Sequence, residues 1–229
     1  MDESLNTNKY RYERKFVISN LDRNSVETII KLNSLNFRTL FPSRKINNIY
    51  LDTIGLNCFN QNIDGTSNRH KYRIRWYGSS YKYIKKPILE KKNRKNYIGS
   101  KELFSLNSFN FTKLTTGKDI LRTLAESNLP QRLKENIKLY FPNLFSGYTR
   151  KYFISNNHKY RITLDYNLFF VKFGINTNNF LVKHYDKKSI ILEIKYNFQD
   201  DEDLRDITRQ FNFRLGKNSK YTAGIFNLY

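Results

Sequence analysis

Lys71, Arg73 and Arg75 carry positive charge at every second position of the segment Lys71-Tyr72-Arg73-Ile74-Arg75-Trp76-Tyr77, and the positions between them are aromatic or branched. On a β-strand successive side chains point to opposite faces, so the three cations share one face and Tyr72, Ile74 and Trp76 the other. Such side chains suit phosphate chemistry: a guanidinium matches two oxygens at once, and an ammonium acts as a point charge. The alternation recurs at Glu13 and Lys15, at Glu90 and Lys92, at Arg161 and Asp165, and at Glu193 and Lys195, each beside or between apolar residues. One such strand is what any half-exposed sheet carries. Several in the same phase point to charges collected around one polyanionic ligand.

The 229-residue chain has 41 Lys and Arg against 20 Asp and Glu, a formal net charge of +21. Such a field attracts phosphate-rich partners and anionic surfaces without choosing among nucleic acid, nucleotide and lipid. With 39% hydrophobic residues the chain can bury a full core. No Pro-, Gly- or Ser-rich linker divides it, so a single domain over 1–229 is expected, with 1–8 as a flexible N-terminus. Cys58 is the one cysteine, which excludes an internal disulfide, a Cys-based zinc site and a Cys-x-x-Cys redox pair. The N-terminus lacks the basic and apolar regions of a signal peptide. Apolar runs such as Leu168-Phe169-Phe170-Val171 fall far short of the roughly 20 residues a membrane-spanning helix needs. The chain reads as cytoplasmic.

The elements that must position these charges are mostly strands. They are expected near 9–18, 46–53, 69–77, 81–93, 97–104, 146–155, 158–165, 167–173, 179–185 and 188–197, where Tyr, Phe, Ile and Val are dense. Helices fit at 22–34, capped by Asn20 or Asp22, and at 117–127, 130–139 and 201–211. A sandwich buries an apolar inner face and leaves its charged face to bulk water. Charge on one face of so many strands instead predicts an α+β fold: a closed antiparallel barrel with a charged lumen, its apolar outer face covered by helices. Like charges inside are tolerable only if an anion neutralises them, since stripping water from an unpaired cation costs several kcal/mol.

Glu13-Arg14-Lys15-Phe16, Lys71 to Tyr77, Ile88-Leu89-Glu90-Lys91-Lys92, Tyr148-Thr149-Arg150-Lys151-Tyr152, Arg161-Ile162-Thr163-Leu164-Asp165, Ile191-Leu192-Glu193-Ile194-Lys195 and Ser219-Lys220-Tyr221 follow one another in a distinctive order. That ordered set resembles the polyphosphate polymerase domain of vacuolar transporter chaperones, within the CYTH-like triphosphate tunnel metalloenzymes, over residues 9 to 229. The resemblance implies an eight-stranded antiparallel tunnel that takes a triphosphate or phosphate chain along its axis. By position, Lys15, Arg73, Arg75, Lys92, Lys101, Arg150 and Arg161 resemble the residues that grip the phosphates, and Lys71 lies in phase with them. Lys217 and Lys220 resemble the pair closing one end of the tunnel. Glu193 resembles the carboxylate that holds a divalent metal, Mn²⁺ or Mg²⁺, while Glu13 is either a second metal ligand or the partner of a tunnel lysine. Lys195 reads as structural, paired with a neighbouring carboxylate. Hydrolases and cyclases of the wider superfamily open with Glu-x-Glu-x-Lys. Here Arg11 stands at the first acidic position, which shifts the pattern toward the polymerase branch.

The implied reaction moves the γ-phosphate of ATP, or another nucleoside triphosphate, onto a growing polyphosphate chain. It needs in-line positioning and neutralised equatorial charge, work for Arg73, Arg75, Arg150, Arg161 and Lys92 without covalent chemistry. A terminal phosphate is already largely deprotonated near neutral pH, so no general base is required. His70, His158 and His184 lack motif partners and read as surface residues. Two alternatives stay open: a triphosphatase of the same architecture, and a non-catalytic module for polyphosphate, inositol phosphates or RNA. Nucleic acid is not expected as a partner, because the aromatic residues lie on the faces opposite the charges, where bases could not stack beside them. The resemblance also implies a separate membrane protein as partner, which would bring this cytoplasmic chain to the inner face of a membrane.

Overall fold

The computed structural model describes residues 11–95, 98–176, 182–201, 207–216 and 218–229. Eleven strands and five helices are defined among them: β1 (Arg11–Ile18), α1 (Arg23–Leu32), β2 (Arg38–Asp52), α2 (Asn57–Ile63), β3 (Asn68–Tyr77), β4 (Lys82–Ile84), β5 (Ile88–Lys95), β6 (Ile98–Ser105), β7 (Phe109–Phe111), α3 (Gly117–Glu126), α4 (Gln131–Ile137), β8 (Phe141–Ile154), β9 (Arg161–Lys172), β10 (Lys183–Asp186), β11 (Ile190–Asn197) and α5 (Lys220–Leu228). The main sheet runs in the order β1-β11-β9-β8-β2-β3-β5-β6, with β10 also on β9, while β4 and β7 form a separate ribbon. Mostly antiparallel sheet with helices is the expected α+β class. The closed eight-stranded barrel requires correction: the main sheet has nine strands, and among the described residues its order ends at β1 and β6. Two local causes are visible. Leu215 bridges to Phe16, and the Gly216 N–H donates to the Lys15 carbonyl at 2.9 Å, so that segment occupies the outer edge of β1. The expected strand over 81–93 is broken before Pro87, which has no N–H to donate; β4 pairs with β7 instead of joining the main sheet.

Two compact units are present, each assembled from three separate stretches. The first comprises the chain up to Arg44, Thr149–Asn167 and Asp186–Asn218; the second comprises Lys45–Tyr148, Leu168–Tyr185 and Ser219–Tyr229. Strands β2, β8 and β9 are long enough to contribute to both.

In the first unit the even-numbered residues of β1 and β11, Phe16, Ile18, Leu192, Ile194 and Tyr196, join Ile162, Leu164 and Tyr166 of β9 in one core, closed by Val26 and Ile30 of α1. Helix α1 starts where Asp22 accepts hydrogen bonds from the N–H groups of Asn24 and Ser25 at 2.7 and 3.0 Å. In the second unit Tyr72, Ile74 and Trp76 of β3 pack with Ile49, Leu51, Leu89, Phe111 and Phe145, under Ile120 and Leu124 of α3 and Leu133 and Ile137 of α4. Trp76 is 1% exposed and its ring stacks on Phe145 with centroids 5.8 Å apart. Each unit therefore buries the apolar strand faces under helices, which leaves the opposite faces to the charged residues.

Candidate functional site

Cross-strand register brings the charges of the second unit together. Arg73 lies directly opposite Glu90, and Lys71 opposite Lys92, which faces Lys101 on the next strand. Glu90 is 3% exposed and receives three cations: Arg73 Nε at 2.6 Å, Arg75 Nη1 at 3.3 Å and Lys101 Nζ at 2.6 Å. Burial alone would raise its carboxyl, but Arg73, Arg75 and Lys101 hold it down at about 2. Lys101 shows the other side of that balance. Its ammonium is held below its ordinary value by burial and by repulsion from Arg75 and Arg73, against the attraction of Glu90. One carboxylate thus leaves this group of four with a net positive charge. Arg75 also donates from Nε to Asn48 Oδ1 at 3.0 Å and from Nη2 to the Tyr148 hydroxyl at 3.4 Å, and the Lys220 ammonium lies 4.6 Å from the centre of the Tyr148 ring. Lys71 donates to Asn62 Oδ1 at 2.7 Å and to Ser219 Oγ at 3.0 Å.

The start of α5 is fixed beneath these residues. Ser219 caps the helix, and Tyr221, its second residue, donates its hydroxyl to Asp52 at 2.5 Å while accepting from Asn143 Nδ2 at 2.8 Å. Asp52 also accepts the N–H groups of Cys58 and Phe59 at 2.8 and 3.0 Å, satisfying the otherwise orphaned donors that begin α2. Burial and the neighbouring Asp52 carboxylate push the Cys58 thiol up to about 12.

In the first unit the charged face is nearly balanced. Glu13 stands opposite Lys195 and Lys15 opposite Glu193, so acid and base alternate both along and across β1 and β11. Lys15 Nζ lies 2.5 Å from Glu13 and 3.6 Å from Glu193, and Lys195 Nζ lies 2.7 Å from Glu193. Burial works against the Glu193 charge, yet Lys195, Lys15 and Arg150 hold its carboxyl well below the ordinary range. Asp165, 1% exposed, takes Arg150 in a two-point grip at 2.5 and 2.7 Å. Arg161 is exposed at the start of β9, opposite Lys195. Lys217 lies outside the described residues.

Register unites Arg73, Arg75 and Lys101, and separately Lys15, Glu13 and Glu193. It also reveals two carboxylates that the sequence reading gave no role, Glu90 and Asp165. Their signal was present, in the alternation of Glu90 with Lys92 and of Arg161 with Asp165, but which cation each would hold depends on strand pairing. The histidines need correction as well. His70 is half-buried and shares its strand face with Tyr72, opposite the cations, and its ring nitrogen lies 2.5 Å from the Tyr140 hydroxyl. Burial and the Lys91 charge lower its pKa. His184 is half-buried against Phe170, whereas His158 is exposed and meets Arg38.

Among the described residues no group of three or more His, Cys, Asp or Glu side chains gathers as a ready-made cation cage. The two carboxylates expected at a metal, Glu193 and Glu13, are both paired with Lys15, and Glu193 also with Lys195, so a cation there would need most of its ligands from outside the protein. Mg²⁺ and similar ions commonly take one or two carboxylates and complete their shell with substrate phosphates and water.

Among solved structures, a candidate adenylate cyclase from Vibrio parahaemolyticus is similar at 14% identity, with a TM-score of 0.52 and coverage of 95% of this chain and 98% of the other. A Pyrococcus horikoshii protein matches at 12% identity, a TM-score of 0.52 and coverage of 95% and 99%. A candidate adenylyl cyclase from Hippeastrum, described as having a dominant triphosphatase activity, matches at 12% identity, a TM-score of 0.50 and coverage of 95% and 97%. At such identities the likeness speaks for the fold alone. No curated protein matches the chain. The sequence pattern of the VTC domain matches residues 10–229, a span that runs through both units, and the chain belongs to that family.

Proposed function

We propose that this VTC domain is a metal-dependent polyphosphate polymerase, moving the γ-phosphate of ATP or another nucleoside triphosphate onto a growing polyphosphate chain. The observation that carries the reading is the excess of cations gathered on one strand face of the second unit, where Arg73, Arg75 and Lys101 share the single carboxylate of Glu90. Arg75 and Glu90 are buried, and excess positive charge beside them is costly unless an anion completes it. In this reading Arg73, Arg75, Lys92, Arg150 and Arg161 neutralise the transferring phosphoryl group, and Lys15, Lys71, Lys101, Lys217 and Lys220 hold the rest of the chain. Glu193, with Glu13, would hold Mn²⁺ or Mg²⁺, which supplies charge neutralisation at phosphate oxygens. The single-domain reading is supported by a family match that is unbroken across both units.

Transfer to phosphate is favoured over transfer to water by the placement of the histidines. His70 lies on the face opposite the cations of its own strand and is bonded to Tyr140, so it offers no base to a water on the charged face. Among the described residues no helix is long and apolar enough to cross a membrane. The reading includes a separate membrane protein as partner, one that receives the product at the cytoplasmic face.

The test is incubation of purified protein with ATP and Mn²⁺ or Mg²⁺, with and without a tripolyphosphate primer, resolving products by chain length. A metal-dependent ladder of long chains with matching ADP is expected. Orthophosphate without chain growth would replace the polymerase by a triphosphatase, and tight polyphosphate binding without turnover would make the domain a binding module.

A further inference from the structure

Two polar side-chain atoms on the charged face of the second unit are buried without a hydrogen-bond partner. Asn48 is 0% exposed with Nδ2 unpaired, and Ser146 is 1% exposed with Oγ unpaired. Their faces follow from their neighbours. Asn48 lies opposite Arg75 and accepts its Nε at 3.0 Å. Ser146 is two residues from Tyr148, whose hydroxyl accepts from Arg75 Nη2, whereas the intervening register carries Phe145 into the core against Trp76. The amide orientation is also fixed. Arg75 can only donate, so the Asn48 oxygen must face it and the NH₂ group must point away as a donor. Native interiors rarely leave such groups unpaired, and an exception calls for a ligand or ordered water.

The chemistry around the pair selects the ligand. Arg75 already donates from Nε to Asn48 and from Nη2 to Tyr148 and is ion-paired through Nη1 with Glu90, contacts that occupy three of its five N–H groups. An oxyanion arriving beside this guanidinium is drawn by its charge but needs further donors to satisfy its oxygens. We propose that Asn48 and Ser146 form a neutral donor pair for an oxygen of the phosphate chain beside Arg75. This inference rests on the anion-binding part of the reading above and not on chain growth.

Ser146→Ala separates this role from a structural one, because the hydroxyl has no protein partner to lose. Titration calorimetry with tripolyphosphate, without metal or nucleotide, should show affinity lowered on the order of 10-fold, with the melting temperature of the free protein unchanged or raised. Asn48→Asp keeps an oxygen for Arg75 but replaces the donor with an acceptor, and should lose at least as much affinity while remaining folded. Unchanged tripolyphosphate affinity in Ser146→Ala would mean that the hydroxyl serves only water and would overturn the pair, as would a melting temperature lowered along with affinity. A wild-type protein that does not bind tripolyphosphate would also overturn it. Wild-type protein that binds tripolyphosphate yet builds no chain would leave the pair standing and remove only the polymerase.

Discussion

Replacing Glu90 by Gln removes the one carboxylate shared by Arg73, Arg75 and Lys101 while keeping nearly the same shape. Its carboxyl is held at about 2 rather than the ordinary 4.5. At about 1.4 kcal/mol per pH unit, that corresponds to about 3 kcal/mol of stability at neutral pH. The two arginines account for most of it, because Lys101 is itself held below its ordinary value in their company. The sign follows from a depressed carboxyl: the contribution is complete above pH 4.5 and disappears as pH falls through about 2. Urea unfolding of wild type and Glu90→Gln, followed by the fluorescence of Trp76 in the same unit, should give a gap of about 3 kcal/mol at pH 7 that shrinks to about half by pH 3. Because other carboxylates titrate equally in both proteins, the difference isolates Glu90. Saturating tripolyphosphate at 100 times its Kd should return about 2.7 kcal/mol to the variant if the anion takes over as counter-ion. A gap below about 1 kcal/mol at pH 7, or one that stays constant between pH 5 and pH 3, would refute the reasoning.

Glu193→Gln should abolish the response of activity to Mn²⁺ or Mg²⁺ titration and release Lys15 and Lys195 from their shared partner; an unchanged metal titration would place the ligand elsewhere. Gly224→Ala sets helix propensity, worth about 1 kcal/mol in favour of Ala, against a Cβ that would lie 2.5 Å from Leu144 Cδ2 and 2.7 Å from Phe170 Cδ1. Overpacking costs about 1–3 kcal/mol, so a net loss in thermal unfolding is expected, and a gain would show that this wall yields. Cys58, 2% exposed with its thiol pushed up to about 12, should resist alkylation at pH 8 until urea unfolds the second unit.

Much of the strand pattern was legible because alternation alone reports it. The segments 69–77 and 188–197 correspond to β3 and β11, and the Asp22 cap marks the start of α1. The failures have local causes. β2 begins at Arg38, eight residues before the expected strand, because its first half is exposed, includes Pro42 and carries no apolar alternation. β9 appeared as two strands because Asn167 interrupts it with a left-handed backbone, φ 51°, without ending it. α2 was missed because Asn57-Cys58-Phe59-Asn60-Gln61-Asn62-Ile63 has weak helix propensity, and its first N–H groups depend on Asp52, outside the helix. The expected helix over 201–211 lies partly outside the described residues. At the candidate site, the cations could be read from their spacing. Glu90 and Asp165 could not, because a counter-ion is defined by the strand opposite it.

The interleaving of the two units bears on how the chain can be made. Tyr221 reaches Asp52, and Gly224 lies against Leu144 and Phe170, so the second core is complete only after residues beyond Ser219 have left the ribosome. The first core waits for Leu192, Ile194 and Phe211. Neither unit can fold behind the other in the usual N-terminal-first order. Until those residues arrive, the early strands carry their excess of Lys and Arg without the cores that fix their pairing.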